Sequence, residues 1–368
     1  MKTVVHVLPY MAKGGTEKHV LTLCRGQKDR YRIVLLAPEG EILPEFLDLH
    51  IEHVPFPVLS GNFFRKIEIF KEKLLEIHQR YGVDIVHVHA AHEFLRFSRR
   101  VLPRTPIIFH LSAHQGSRLS KWFNYWLSAR LSRRHADLLI AVSEEEKRLV
   151  TAKGFPAERV RVVYNGYEQD EGDDIERIEK MRRDYGLDGH LVIGNLGRLH
   201  RTKRLDILIE AFRLLMGGSE ERLKLLIIGD GPERAALEKQ AVRAGLKSSV
   251  HFPGFVARGD RVLRVFDLFV LPTTFEGCSN VLVEAMAKGL PIVTTDIPSV
   301  SWMFKNGKNG LLFQENNIKA LYTALKRLIS DRELRISLGR AAEKRFADAF
   351  KAEKMIQRVD EIYRNLFI

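Results

Sequence analysis

The sequence predicts an α/β chain built as two doubly wound domains. Short apolar runs of strand length recur along the 368 residues, and helical patterns separate many of them. A chain of this length suits two domains that each bury a core. Hydrophobic content of 45% and charged content of 29% are those of an ordinary folded protein.

In the first half, strands are expected at residues 3–8, 32–37, 51–56, 84–89, 107–111, 138–142 and 160–164. The first strand runs into Pro9-Tyr10-Met11-Ala12-Lys13-Gly14-Gly15, and a helix is expected from about Thr16. Glycines there let a backbone approach a ligand, and a helix N-terminus offers free N–H groups to an anion, although Gly-Gly between strand and helix also serves as a plain turn. A polar run from Tyr167 to Asp174, rich in acid and glycine, marks the domain boundary. The expected division is 1–168, 169–350 and a terminal helix over 351–368. In the second half, strands are expected at 191–196, 223–228, 250–252, 268–271, 292–295 and 311–313, and closing helices at 334–350 and 352–366. Ligands of such sheets bind beyond the carboxyl ends of the strands.

The most informative stretch is LFVLPTTFEGCSNVLVEAMAKGLPIVTTD, from Leu268 to Asp296. An apolar strand stops at Pro272-Thr273-Thr274, and a loop carries Glu276-Gly277-Cys278-Ser279-Asn280. A helix then begins near Asn280 or Val281 and ends at Gly289-Leu290-Pro291. That helix is apolar nearly all round, which reads as buried. Glu284 sits on it, where a carboxylate is costly unless something hydrogen-bonds it; a ribose diol would. The alternative is a capping or surface glutamate, and Val281, three residues earlier, cannot cap.

Glu276 and Glu284, with seven residues between them inside EGCSNVLVEAMAKGLPIV, resemble the E-x7-E motif of the retaining glycosyltransferases of family 4. The resemblance implies the GT-B architecture, two Rossmann-like domains facing across a cleft, with the last helix crossing back to the first domain. It also assigns roles. Glu276 would bind the donor sugar's hydroxyls with backbone N–H groups of Gly277, Cys278, Ser279 and Asn280, and Glu284 the ribose. Gly14 and Gly15 match a loop that lies against the donor diphosphate.

Gly197-Arg198-Leu199-His200-Arg201-Thr202-Lys203 lies between a strand and a helix expected near Lys203. Two cations at a strand end suit a diphosphate leaving group, although loop charge is common in so basic a chain. The spacing of Arg198 and Lys203 matches the family's diphosphate-binding pair. Gly229 and Gly231, in Ile228-Gly-Asp-Gly-Pro-Glu233, read either as a strand-to-helix turn with Pro232 opening the helix or as a place where a nucleotide comes close. Phe255 and Val256 match the region where the family's base packs.

Histidines close two strands of the first half. His87 reads as a core histidine satisfied by the backbone, whereas His89, His92 and His114 are candidates for a cleft edge. His110 ends a strand where the family carries a histidine near the reacting sugar. One segment departs from the family: after Asp296, where Gly-Gly and a later glutamate are usual, this chain has Pro298-Ser299 and Trp302.

The formal net charge of +13 calls for anionic partners. From Ala91 to Arg134 there are nine basic residues against one acid, Glu93. Residues 118–134 are aromatic and basic at helical spacing. They read as a domain helix with a solvated basic face and a buried aromatic face, or as a surface that sits on anionic lipid; Phe63-Phe64-Arg65-Lys66 is a second such candidate. Two cysteines, Cys24 and Cys278, give neither a disulfide framework nor metal spacing, and Asp173-Asp174 lies in the linker. No run is long enough to span a bilayer, and the N-terminus reads as a first strand rather than a signal peptide.

The expectation is therefore a cytoplasmic glycosyltransferase, either soluble or peripheral on the inner face of the membrane. It would move a sugar from a nucleotide-diphosphate sugar, UDP-linked by preference, to a saccharide or lipid-linked acceptor of envelope polysaccharide synthesis. Transfer would proceed with retention and without metal or cofactor, by front-face attack in preference to the alternative of a covalent intermediate on Glu276. The alternatives are a nucleotide-sugar 2-epimerase of the same architecture, a non-catalytic nucleotide-sugar sensor, and a nucleic-acid-binding protein, for which no reader motif is present.

Overall fold

A computed structural model of the chain describes residues 1–12, 14–57, 63–111, 118–169, 172–218 and 221–367, and for residues 63, 64, 118, 119 and 121 the backbone alone. His114 therefore lies outside the described residues, as do the side chains of Phe63, Phe64, Arg118 and Lys121. The chain divides into two units, Met1–Gly166 with Ala352–Ile368, and Tyr167–Lys351.

The first unit contains β1 (Thr3–Val7), α1 (Gly15–Gln27), β2 (Arg32–Ala37), α2 (Leu43–Leu47), β3 (Glu52–Pro55), α3 (Phe63–Tyr81), β4 (Ile85–His89), α4 (Glu93–Val101), β5 (Ile107–Leu111), α5 (Arg118–His135), β6 (Leu138–Ala141), α6 (Glu144–Thr151) and β7 (Val160–Val162). The second contains α7 (Ile175–Asp184), β8 (Leu191–Leu196), α8 (Leu205–Met216), β9 (Leu223–Ile228), α9 (Arg234–Arg243), β10 (Val250–Gly254), β11 (Leu268–Leu271), α10 (Asn280–Ala287), β12 (Ile292–Thr295), α11 (Pro298–Ser301), β13 (Leu311–Phe313), α12 (Ile318–Ser330) and α13 (Arg332–Ala349). The last helix, α14 (Ala352–Leu366), belongs to the first unit.

Both sheets are parallel, in the orders β3-β2-β1-β4-β5-β6-β7 and β10-β9-β8-β11-β12-β13. The strands are rich in Val, Ile and Leu because helices cover both faces of each sheet. Strand order reverses between β1 and β4 in one sheet and between β8 and β11 in the other. Chain leaving the carboxyl ends of those pairs diverges to opposite faces, which opens a crevice for a ligand.

Helical periodicity explains the covering layer. On α3, Ile67, Phe70, Leu74 and Ile77 fall on one face and are buried in the first core. On α6 the Ser143 side chain caps the helix by accepting from the Glu146 N–H at 3.1 Å. α14 docks on α1 through Met355, Ile356, Val359 and Tyr363. The helices meet so closely at Gly26 that a Cβ there would lie 2.3 Å from Ile356 Cδ1. Buried Asp360 fixes the register by accepting from Tyr31 Oη at 2.6 Å and Arg30 at 2.7 Å.

Several expected boundaries move, three of them beside candidate site residues. α1 starts at Gly15 rather than Thr16. A 3-10 turn occupies Arg201–Lys203, so α8 begins only at Leu205. Glu233 is the N-cap of α9, which leaves Pro232 outside the helix.

One feature of the first core exceeds the sequence reading. His6, His87, His89 and His110 stand on three adjacent strands, His6 opposite His87 and His89 opposite His110, and His19 of α1 joins them. Ring centroids lie 4.1 Å apart for His87 and His89 and 4.3 Å for His19 and His110. All five are buried. His87 pairs through Nδ1 with the Tyr363 hydroxyl at 2.6 Å, a side-chain partner where the sequence reading expected the backbone. His6 Nδ1 and His89 Nε2 share a hydrogen bond of 2.9 Å. His89 is thus a core residue rather than an edge residue. His92 is buried too, against Ser128 Oγ at 2.9 Å. Nitrogens of His6, His87 and His89 gather within 4.8 Å of one another, a grouping of metal-donor type that the sequence reading did not find. The His6–His89 and His87–Tyr363 hydrogen bonds use one nitrogen of each ring, and His6 Nε2, His87 Nε2 and His89 Nδ1 stay buried without a hydrogen-bond partner among the described residues.

Burial keeps these imidazoles neutral. It pushes His6 down to about 3 and His19 to about 4, and holds His87, His89 and His110 well below the usual histidine range, with repulsion among neighbouring rings adding to the effect for all but His19. Unfolded histidines titrate near 6.5, so below that pH the unfolded chain binds more protons than the folded one. Stability should fall with pH by about 1.4 kcal/mol per histidine per unit until the depressed folded values are reached. The first unit is expected to lose stability as pH drops below about 6.5. Thermal melting followed by circular dichroism at several pH values checks this, and an unchanged midpoint across the range would refute it.

Candidate functional site

In the second unit, two loops leave the carboxyl ends of β8 and β11, the neighbouring strands at the reversal of sheet order. The first carries Arg198 and Lys203. Its backbone is pinned to the turn after β9: the Gly197 N–H donates to Ile228 O at 2.9 Å, Leu199 N–H to Asp230 O at 2.8 Å, and Glu233 N–H to Leu199 O at 3.1 Å. A Cβ on Gly229 would lie 1.9 Å from Gly197 O, and one on Gly231 2.4 Å from Leu199 O. Only glycine permits that approach, so these two residues have a loop-docking reason beside the ligand reason expected of them. Leu199 is fully buried, whereas Arg198 beside it is exposed and makes no side-chain hydrogen bond or ion pair among the described residues.

The second loop carries Glu276. It is braced against the first at the Thr202 carbonyl, which accepts from the Thr274 N–H at 2.8 Å and from Thr273 Oγ1 at 3.1 Å. Thr273 is fully buried, and its hydroxyl also reaches Phe275 O at 3.0 Å. Across this brace Lys203 Nζ forms an ion pair with Glu276 Oε1, the two side chains 20% and 10% exposed. The Glu276 N–H reaches Ser299 Oγ of α11 at 3.4 Å.

Gly277 and Cys278 follow, half-buried, and Ser279 is the N-cap of α10 without a side-chain cap bond. Asn280 opens the helix and Glu284 lies a turn further, 7% exposed, too far from the N-cap to belong to a capping box. Tyr167 lies near it: burial, Asp260 and then Glu284 push the Tyr167 hydroxyl's pKa upward. The far end of α10 is fixed by Lys288, buried and paired with Asp173 at 2.7 Å, while Arg264 reaches the same carboxylate at 2.8 Å. Gln169 Nε2 donates to Ala287 O at 2.8 Å. Asp173, which had no role in the sequence, thus anchors the helix that carries Glu284.

Gly254 closes β10 and accepts from the Gly229 N–H at 2.8 Å. Phe255, 68% exposed, and half-buried Val256 therefore leave the sheet beside the Gly229–Gly231 turn. Trp302, at the end of α11, is half-buried and donates its indole N–H to Ser299 O at 3.1 Å, with its ring 5.8 Å from Phe350.

Gly14, Gly15 and His110 belong to the first unit. Gly14 is the N-cap of α1, and a Cβ there would meet Glu17 Oε2 at 2.6 Å. Buried Glu17 accepts from the Ala12 N–H at 3.2 Å, and Gly15 is exposed. His110 is buried at the end of β5. On α5, Tyr125 and Ala129 enter the core, but Trp122 and Phe123 are 52% and 51% exposed. Lys153 lies over the Trp122 ring at 4.7 Å and Arg130 over Trp126 at 5.4 Å. The aromatic face is thus split between core and surface, a mixture of the two alternatives. Among the described residues no helix is long and apolar enough to cross a membrane.

Known proteins agree with this architecture. Residues 13–171 match the model of glycosyltransferase family 4, and residues 177–345 that of glycosyl transferases group 1. The chain is 25% identical over 297 residues to N-acetyl-alpha-D-glucosaminyl L-malate synthase of Bacillus anthracis, covering 79% of this chain and 77% of that protein. It is 25% identical over 362 residues, 94% of each chain, to the N-acetylgalactosamine-N,N'-diacetylbacillosaminyl-diphospho-undecaprenol 4-alpha-N-acetylgalactosaminyltransferase of Campylobacter jejuni. The crystal structure of Anabaena Alr3699/HepE in complex with UDP superposes with a TM-score of 0.85 at 23% identity, covering 99% of this chain and all of that one. The fold is the GT-B fold, and the epimerase alternative finds no support among these relatives. With one family model on each half and transferases among its relatives, the chain belongs to the glycosyltransferases of group 1 and family 4.

Proposed function

We propose that this glycosyltransferase takes its sugar from a UDP-sugar and transfers it with retention to a saccharide or lipid-linked acceptor in envelope polysaccharide or related glycan synthesis. The observation that carries the proposal is the gathering of Arg198, Lys203 and Glu276 on two braced loops at the reversal of the second sheet, with Glu284 on the helix that follows. Solved neighbours in complex with UDP and with UDP-glucose support the nucleotide. A diphospho-undecaprenol acceptor in the name of one relative, and capsular polysaccharide biosynthesis in that of another, support the acceptor class.

In this reading Arg198 and Lys203 neutralise the leaving diphosphate, a task that fixed cations perform without metal. Glu276 accepts from the donor sugar's hydroxyls, the Gly277-Cys278-Ser279-Asn280 backbone lies along the sugar, and Glu284 accepts from the ribose. Phe255 and Val256 flank the base beside Gly229 and Gly231. Gly14, Gly15 and His110 are assigned to the diphosphate and the reacting sugar on family resemblance alone. Attack of the acceptor on the face the diphosphate leaves gives retention, and the departing phosphate oxygen takes the acceptor proton.

A thermal-shift screen of UDP-, GDP- and ADP-sugars tests the donor site. A UDP-sugar at 100 times its dissociation constant should stabilise the protein by about 2.7 kcal/mol, and Glu284→Ala should abolish the shift. No shift with any donor would overturn the site. Arg198→Ala should raise the transfer barrier by about 2.7–4 kcal/mol, a loss of about 10²–10³ in kcat. Saturating turnover unchanged in that variant would remove Arg198 from the mechanism.

The exposed Trp122 and Phe123, with Arg130, Arg133 and Arg134 exposed further along α5, support docking on an anionic membrane. Each basic residue near such a surface contributes about 1 kcal/mol. Changing the three arginines to glutamate should therefore release the protein from anionic vesicles; salt-insensitive binding that survives the change would refute the surface.

A further inference from the structure

The two candidate cations differ in state. Arg198 is exposed and open, whereas Lys203 is already engaged by Glu276. That pair joins a group assigned above to the diphosphate and the one assigned to the sugar. Any ligand that draws Lys203 onto its phosphates must therefore do something about Glu276, whose side chain is only 10% exposed. A carboxylate left without its partner at that depth is strongly disfavoured.

We infer that the Lys203–Glu276 ion pair makes the site discriminate an intact nucleotide sugar from the nucleoside diphosphate that remains after transfer. The inference rests on the donor-site reading. A nucleotide sugar brings both exchanges at once: its diphosphate takes Lys203, and its sugar hydroxyls donate to the Glu276 oxygen that Lys203 vacates. A nucleoside diphosphate brings only the first. It either leaves Lys203 on Glu276 and is met by Arg198 alone, or strands Glu276. Transfer breaks the anomeric bond to the diphosphate; when the glycosylated acceptor departs its hydroxyls leave Glu276, Lys203 returns to the carboxylate, and the diphosphate left behind loses a cation. The pair thus couples product release to transfer without a moving lid.

The supports of the pair fit this role. The Thr202 carbonyl ties the Lys203 turn to the Thr273–Thr274 segment, and Ser299 Oγ receives the Glu276 N–H. Both backbones are fixed independently of the ion pair, so Lys203 and Glu276 can part by side-chain rotation alone.

Binding of UDP and of a UDP-sugar, without acceptor, to the wild type, Glu276→Gln and Lys203→Gln tests the inference by calorimetry, with circular dichroism as the folding check. Removing the carboxylate's charge frees Lys203, so Glu276→Gln should bind UDP more tightly, by about tenfold or more, the worth of one charge-assisted hydrogen bond. Its affinity for the UDP-sugar should rise less or fall, so that the preference for intact donor collapses. Lys203→Gln should leave UDP affinity nearly unchanged and weaken the UDP-sugar. UDP affinity that is unchanged or lower in folded Glu276→Gln, while the wild type binds UDP, would overturn the inference and leave the donor site standing. A wild type that binds neither ligand would overturn the donor site and the inference with it.

Discussion

The second unit's working edge depends on backbone groups of two loops satisfying one another. The loop after β8 has no regular structure until Arg201, and its main-chain donors and acceptors are met by the turn after β9 and by the loop after β11. The Thr202 carbonyl is the junction, with the Thr274 amide and Thr273 hydroxyl converging on it. Backbone polar groups at this depth are costly to leave unpaired, so the contact is nearly compulsory once the strands are adjacent. What it fixes is the origin of Lys203 relative to that of Glu276. Side chains as long as these would otherwise sweep several ångströms; here the sheet sets the separation of their backbones.

Charge follows the same economy of burial. The chain carries a large basic excess, yet several buried or nearly buried charges are matched locally: Glu276 by Lys203, Lys288 by Asp173, Asp360 by Arg30 with the Tyr31 hydroxyl. The excess lies on surfaces such as α5. In the first core the opposite solution appears, with five histidines buried in the neutral state beneath α1 and α14. Both solutions obey one rule, that a charge leaves water only with a partner.

Much of this was legible in the sequence because strands buried on both faces need unbroken apolar runs. β6, β11 and β13 are such runs throughout, and most other strands depart from one by a few residues such as His6, Arg161 and Asn195; β10 extends two residues past the expected 252 because Gly254 still pairs with the Gly229 amide. Helix starts were less legible. Lys203 was expected to lead a helix, but Arg204 adopts a left-handed conformation, φ 48°, between the 3-10 turn and α8, and no residue type announces this. In the candidate site the charged residues were visible through their spacing, whereas their supports were not. Thr273 and Thr274 read as a strand stop, and Asp173 as linker. Each acts through a contact more than 70 residues away, which periodicity does not encode. The histidine cluster left a trace, His87-x-His89 on one strand, but His6, His19 and His110 join it only through sheet order.

The segment that departs from the family shows how the same constraint admits another sequence. After β12 the chain enters α11 at Pro298, where glycines are more usual. Proline fixes the first turn of a four-residue helix that glycine would leave loose. That turn sets Ser299 so that its hydroxyl meets the Glu276 amide, and Trp302 returns its indole N–H to the Ser299 carbonyl. The tryptophan ring in turn lies against Phe350, a core residue just beyond α13. A rigid chain from Phe350 through Trp302 and Ser299 thus reaches the backbone of Glu276. Where a flexible glycine pair would leave that amide free to follow a ligand, this sequence fixes it in advance, and adjustment to the donor falls to the Glu276 side chain and its lysine.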